Sequence, residues 1–484
     1  MNKIFLSLLI TIYSLSACAQ LPSTTEARIK AVETQLAPNV VYGDTIPSLN
    51  LLDQMKKYNI KGLSVAVIKD YKIDWAKAYG WADEEEKRPV TTNTRFQAAS
   101  ISKSLNSLGV LKLVQQSRIG LEADINNYLK SWKFPYDSVS KNKTISIANL
   151  LSHTAGLSVH GFGGYETTDS IPSVIQILDG VRPANSRSIR SLFAPGTKFQ
   201  YSGGGTTISQ LIVTDVTGRR YEEFMQKEVL NPIGMTNSFF TQPPPAATKE
   251  LATAYTNGEA VKGKYHVYPE QAAAGLWTTP TDLAKYIIEC QLTYEGKSQG
   301  KVINREMMIK RMTPYVDSSA ALGIFILKKE DTRYFNHNGG NEGFVCNSFG
   351  SLSGGNGLVI MVNGDNFAII SELSNSIARV YGWKNFYTPA FRKVYHPSKD
   401  TLQLYTGNYL LEKDTISLSI CDDGICVRQN GQPASGMKTI FSNATTFTLP
   451  EIPNASIKML FKDGKVSSFE LTQNGMKMVA VRVD

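Results

Sequence analysis

"RFQAASISKSLNSLGVLKLVQQSRIGL", Arg95 to Leu121, is the stretch on which the reading of this 484-residue chain turns. It sets Ser100 and Lys103 three residues apart at the mouth of a helix pattern. The spacing alone decides nothing, because Ser-x-x-Lys occurs five times, at Ser100, Ser138, Ser140, Ser298 and Ser435. The residues after Ser100 distinguish it. Ile101, Leu105, Leu108 and Leu111 recur at helical spacing with Val110, Leu113 and Val114 beside them, the pattern of a largely buried helix. The other four serines sit in polar turns. Residues three apart on a helix share a face, so the Lys103 amine reaches the Ser100 hydroxyl. A serine hydroxyl is a weak nucleophile that needs a base. A lysine serves as one where burial and the positive end of a helix disfavour its charged form. The competing reading is an N-terminal cap with an exposed lysine.

Two other stretches carry candidate chemistry. In "PGTKFQYSGGGTTISQLI" Tyr201 follows an apolar run and precedes glycines and a second helix pattern, which suits a second acid or base or, equally, a packed tyrosine. In "RYFNHNGGNEGFVC" the run His337-Asn338-Gly339-Gly340 stands where a strand meets a turn. Glycines there let backbone N–H groups approach a substrate, as an oxyanion hole requires.

Around these, the chain divides into parts of different texture. "GLSVAVIKDYKIDWAKAYGWAD" reads as two strands joined at Lys69-Asp70-Tyr71-Lys72. Helix-like patterns dominate from Arg95 to about Glu289, strands return in "LGIFILKK", "GFVCNSFGSL" and "NGLVIMVNG", and a last helix pattern runs from about Asn366 to Tyr381. One sheet completed by both ends of a domain, with a helical subdomain inserted and a cleft between them, accounts for this order. From about Thr401 short alternating strands with Asp-Gly and Asn-Gly turns indicate a small all-β barrel or sandwich. The expected boundaries are 1–19 export signal, 20–45 tether, 46–390 catalytic domain, 391–400 linker and 401–484 all-β domain.

Lys plus Arg number 51 and Asp plus Glu 42, a formal charge of +9, but no run of basic residues makes a phosphate-tracking stripe. No nucleic-acid partner is expected. "MNKIFLSLLITIYSLSACAQLPS" has one lysine, an apolar run too short to span a bilayer, then small residues, so export is expected. Cleavage before Cys18 would leave a lipid-anchored cysteine, the one membrane attachment foreseen, and cleavage after Ala19 a free periplasmic or secreted protein. Beyond Cys18 the cysteines are Cys290, Cys346, Cys421 and Cys426. "ISLSICDDGICVRQ" reads as a hairpin turning at Asp423-Gly424 with Cys421 opposite Cys426, either disulfide-bonded or as two free thiols. The five histidines form no H-E-x-x-H pattern and there is no C-x-x-C, so neither metal nor cofactor is expected.

Ser-x-x-Lys, then Tyr-Ser-Gly, then His-x-Gly resembles the serine β-lactamase-like family of class C β-lactamases, D-alanyl-D-alanine carboxypeptidases and related esterases. "ANLLSHTAGL", "APGTKFQYSGGG", "AAGLWTTPTDLAKY" and "HNGGNEGF" extend the likeness from about Leu51 to Trp383. The resemblance implies an α/β fold of the β-lactamase/penicillin-binding-protein type, an antiparallel sheet flanked by helices with an inserted helical subdomain. The C-terminal module resembles lipocalin-like barrels appended to some members. It further implies Ser100 as acylated nucleophile, Lys103 as its base and Tyr201 as proton shuttle. Backbone N–H groups of Ser100 and Gly340 would form the oxyanion hole, with Gly203, His337, Asn338 and Gly339 beside the substrate, and His153 of "LSHTAG" would be structural. Two departures matter. Tyr201-Ser202-Gly203 lacks the amide of the family's Tyr-x-Asn, and His337-Asn338-Gly339 replaces Lys-Thr-Gly, exchanging a permanent cation for a side chain that is mostly neutral near pH 7. Both favour esters, small amides or peptides as acyl substrates over penicillins. Acyl transfer to an alcohol, β-lactamase or D,D-carboxypeptidase activity, and a non-catalytic binding role are the alternatives. Oligomeric state is not encoded.

Overall fold

A computed structural model of the chain describes residues 22–422, 424–429, 436–450, 452, 454–473 and 475–483. The segment read as an export signal, with Cys18, lies outside the described residues. The chain forms two compact units, one holding the described residues up to Leu36 with Leu49–Tyr387, the other Ala37–Ser48 with Thr388–Asp484.

The larger unit is built on seven antiparallel strands: β1 Gly62–Lys69, β2 Lys72–Asp83, β3 Arg88–Pro89, β4 Phe325–Lys329, β5 Thr332–Asn341, β6 Phe344–Ser351 and β7 Gly357–Val362. Their order is β3-β2-β1-β7-β6-β5-β4, so the start and the end of the domain meet where β1 pairs with β7. The β1–β2 hairpin turns through Asp70 and Tyr71, both at positive φ (52° and 61°), the backbone a two-residue hairpin demands. Alternate residues of β1 enter opposite cores. Val65 and Val67 pack with Leu358, Ile360, Leu373 and Ile377 of helix Ala368–Val380, whereas Ala66 and Ile68 join Val359, Met361, Leu283 and Ile287. Both faces are therefore covered by helices.

Helix α1, Ser102–Gln115, follows a 3₁₀ turn at Ala99–Ile101 and is buried at every residue from Ser102 to Val110. Leu105, Leu108 and Leu111 are fully enclosed. Each such side chain contributes roughly 1.5–3 kcal/mol. The polar residue Asn106 is satisfied by Ser209 Oγ (2.9 Å) and the Tyr221 hydroxyl (3.1 Å), which ties α1 to helix α2, Gly203–Thr217. A third long helix, α3, spans Pro280–Tyr294.

In the smaller unit nine antiparallel strands run from Gly407–Leu411 to Met476–Arg482. The edge strands Met437–Lys438 and Ile440–Phe441 are consecutive, and Thr439 N donates to Ile425 O, so the sheet all but closes around Tyr409, Ile425, Phe447 and Phe469. The segment expected to be a tether with a short helix holds a helix at Thr25–Thr34, whose Val32 enters the larger unit's core, and Val40–Tyr42 pairs in parallel with Ala390–Arg392. One detail departs from expectation. Cys421 and Cys426 are bonded, but the register sets Cys421 opposite Gly424 and Cys426 opposite Ser419, so the bridge runs diagonally and the turn falls one residue earlier.

Candidate active site

The turn before α1 fixes Ser100. Ala98 N donates to Leu276 O (2.8 Å) and Leu276 N to Ser102 Oγ (3.0 Å), which straps the turn to the segment around the short helix Gln271–Ala274. Ala99 is held at φ 46°, a left-handed conformation that costs an alanine energy and persists only where its surroundings impose it. Gly339 of β5 supplies that constraint. A Cβ there would lie 2.4 Å from Ala98 O and 3.0 Å from Ala99 Cβ, so only glycine lets the strand come this close to the residue before Ser100.

Lys103 stands one turn along, 3% exposed, its Nζ 3.0 Å from Ser100 Oγ and 2.7 Å from Ala273 O. Neither partner is charged. The amine also lies 5.0 Å from the centroid of the Tyr201 ring. Tyr201 is held from both sides. Its neighbour Ser202 caps α2, accepting from Gly205 N (3.0 Å) and donating to Ser158 O (2.7 Å), and Ser202 N donates to His153 Nδ1 (3.2 Å). The His153 ring lies 4.2 Å from that of Tyr201. Burial, then the Lys103 charge, holds His153 well below the ordinary imidazole range, so it is a neutral acceptor and a buttress.

Strand alternation sorts the expected residues of β5. Asn338 and Gly340 are exposed and, with Gly339, line a cleft of about 430 Å³ that also contains Ser100, Lys103 and Tyr201. His337 does not line it. It points inward, 2% exposed, its Nδ1 donating to Asn338 O (2.6 Å), and burial followed by the Lys103 charge pushes its pKa down to about 3. Gly203 also departs from expectation. It opens α2, its N–H is taken by His160 O (2.9 Å), and a Cβ would sit 3.0 Å from the Phe162 ring. The loop at 160–162 occupies the space where the family's amide side chain would stand.

Sequence reading missed several groups. His160, exposed at the cleft mouth, has its ring 4.8 Å from that of Tyr201, so three of the chain's five histidines surround the tyrosine. Asn341, in the cleft, donates to Gln97 Oε1 (2.7 Å) and Ala274 O (3.1 Å). Glu270, fully buried before the helix that carries Ala273, meets no donor from another residue, and burial pushes its carboxyl up to about 8. The period-two pattern of "FNHNGGN" could have shown that His337 faces inward and Asn341 lies on its side of the strand. Nothing local marks His160 or Glu270. Among the described residues no group of His, Cys, Asp and Glu is arranged to hold a metal, and no helix is long and apolar enough to cross a membrane.

A family model described as Beta-lactamase matches residues 50–369. The chain belongs to that family. "Protein flp" of Staphylococcus aureus (strain N315) is 28% identical over 236 residues, 47% of this chain and 43% of that protein, so the chain matches less than half the length of this relative. "Putative penicillin-binding protein PbpX" of Bacillus subtilis (strain 168) is 24% identical over 330 residues, 67% of this chain and 75% of that one. Among solved structures, the octameric penicillin-binding protein homologue from Pyrococcus abyssi superposes with a TM-score of 0.61 at 18% identity, covering 89% of this chain and 98% of its own. FmtA from Staphylococcus aureus gives 0.54 at 20%, covering 71% and 90%. These neighbours share the fold of this serine-hydrolase and penicillin-binding-protein family.

Proposed function

We propose that this protein is an exported serine acyl hydrolase that cleaves an ester or a small amide through an acyl-enzyme on Ser100. The observation that carries the reading is the 3.0 Å contact of Lys103 Nζ with Ser100 Oγ inside a cleft that also presents Tyr201 and the outward face of β5. In acylation, Ser100 Oγ bonds to the carbonyl carbon while its proton passes to the Lys103 amine. The carbonyl oxygen takes up negative charge facing the N–H groups of Ser100 and Gly340. The bond to the leaving group breaks as that group receives a proton through Tyr201. In the second half a water, or an alcohol in the transfer variant of the reaction, bonds to the acyl carbon as the Ser100 Oγ–acyl bond breaks, and the proton it loses returns along the same groups to Ser100 Oγ.

The burial of neutral His337 favours esters over penicillins. The cleft wall at this strand offers no cation to a substrate carboxylate, and Gly203 offers no amide. The Cys421–Cys426 disulfide supports export to an oxidising compartment. Incubation with a fluorophosphonate or a chromogenic acyl ester, followed by mass spectrometry, tests the reading: an adduct on Ser100 that Ser100→Ala lacks is expected. A protein that forms no adduct and turns over no faster than Ser100→Ala would refute it.

A further inference from the structure

A second groove, of about 550 Å³, lies against the Ser100 cleft, and the two share Gly161 and Phe162. The partition is thin, since a Cβ at Gly161 or Gly163 would meet nothing within 4 Å. It is also pinned. His160 O accepts from Gly203 N (2.9 Å), Asn185 Nδ2 donates to Gly164 O (2.8 Å), and Tyr165 pairs with Val267 in both directions. A substrate seated at Ser100 thus has a fixed crest to cross and a preformed groove beyond it.

The groove's charge is of one sign. Arg187 and Arg190 line it and no carboxylate does. Arg190 is already engaged, with Asp179 Oδ1 at 3.3 Å and Ile189 O at 2.8 Å. Arg187 is different. It is exposed and, among the described residues, makes no ion pair or side-chain hydrogen bond. Ser186 lines the groove beside it, but its Oγ is buried and presents no surface to a ligand. An exposed, unengaged guanidinium matches the oxygens of a carboxylate or phosphate, which accept two of its N–H groups at once.

We propose that this groove is a subsite for an anionic group, carboxylate or phosphate, carried by the substrate that Ser100 cleaves. The proposal rests on the acyl-enzyme reading. It also gives the substrate's charge a place that β5, with its buried inward-facing histidine, does not provide.

Two pairs of chromogenic esters test it, one with a terminal carboxylate or a methyl group on the acyl half, the other with the same exchange on the alcohol half. A further pair carries a phosphate monoester in place of the carboxylate and separates the two sources of charge. The quantity read is the ratio of kcat/KM for the anionic ester to that for its neutral partner. In the wild type this ratio should exceed about tenfold in at least one pair and shrink with added salt. Arg187→Gln should lower it about tenfold or more, Arg187→Lys should keep part of it, and Ser186→Ala, which removes a hydroxyl the ligand does not reach, should leave it unchanged. A ratio near one in every pair, or one that Arg187→Gln leaves unchanged, overturns the subsite. Labelling of Ser100 by a neutral fluorophosphonate keeps the two readings apart: label without an anion preference defeats the subsite alone, and absence of label defeats the acyl-enzyme.

Discussion

Helix α1 meets two buried basic side chains, and they differ in what their partners leave free. Lys103 faces the cleft, bonded to Ser100 Oγ and Ala273 O. Arg311, with no exposed surface, reaches the same helix from behind. Its guanidinium donates to Ser104 O (2.9 Å), Ser107 Oγ (3.0 Å) and the Tyr286 hydroxyl (2.7 Å), and its Nη1 lies 3.5 Å from Cys290 Sγ. Neither pairs with a carboxylate among the described residues. Burial pushes the Cys290 thiol up to about 11, so it remains a neutral neighbour. Every contact of Arg311 is internal, and its charge is spent on holding the helix. Lys103 has one fixed acceptor, one reactive hydroxyl and an opening to the cleft. Burial of a basic side chain is therefore no mark of a functional group; what sets Lys103 apart is a neighbouring hydroxyl and an accessible face.

The sharpest way to break this distinction is to exchange each basic side chain for methionine. Lys103→Met, like Ser100→Ala, should cut acylation by about a thousandfold or more while the thermal midpoint holds or rises, because a buried polar amine is replaced by apolar volume. Arg311→Met should do the reverse. It takes a donor from Ser104 O, Ser107 Oγ and the Tyr286 hydroxyl and costs on the order of 3–5 kcal/mol of stability by denaturant unfolding, while each folded molecule keeps its activity within about tenfold. An Arg311→Met protein that is stable but inactive would erase the contrast. A second exchange probes how Ser100 is positioned. Gly339→Ala drives a Cβ into Ala98 O and should lower kcat/KM by about a hundredfold. Gly340→Ala brings its methyl only to 3.6 Å from the Phe367 ring and keeps the N–H, so a loss below about tenfold is expected.

How much of this was legible in the sequence depends on how local each feature is. Ser100, Lys103 and Tyr201 were legible as candidates because they stand on or beside helix starts whose apolar periodicity is written in the residues just after them. The sheet's closure was legible for a similar reason, since β1 and β7 are continuous apolar runs that need cover on both faces. Arg311 was not, because its role comes from residues on α1 and α3 far away in the chain, and an arginine in "REMMIKRM" reads as an ordinary helix end. Gly203 and His337 were assigned to the substrate by likeness. Their actual positions depend on the loop at 160–162 and on which face of β5 looks inward, facts of packing that motif order does not carry. The short pairing of Val40–Tyr42 with Ala390–Arg392 joins segments too brief to show a pattern of their own.

Glu270 gives the smallest effect and the finest test of the comparison, because a charged acid near the helix that carries Ala273 would compensate a buried amine and a neutral one would not. Its folded-state pKa is raised from 4.5 to about 8 by burial. Below about 4.5 the folded and unfolded chains both hold this proton and the group contributes no pH dependence. Between 4.5 and about 8 the unfolded chain has released it while the folded chain keeps it. Folding then takes up a proton, so stability falls as pH rises through this window and levels off above about 8. Glu270→Gln is neutral in both states and lacks that slope. Relative to the wild type it should gain stability between about pH 5 and pH 8, by roughly 3–4 kcal/mol in denaturant unfolding. An equal difference at the two pH values would mean that Glu270 ionises in the folded protein as readily as in the unfolded one.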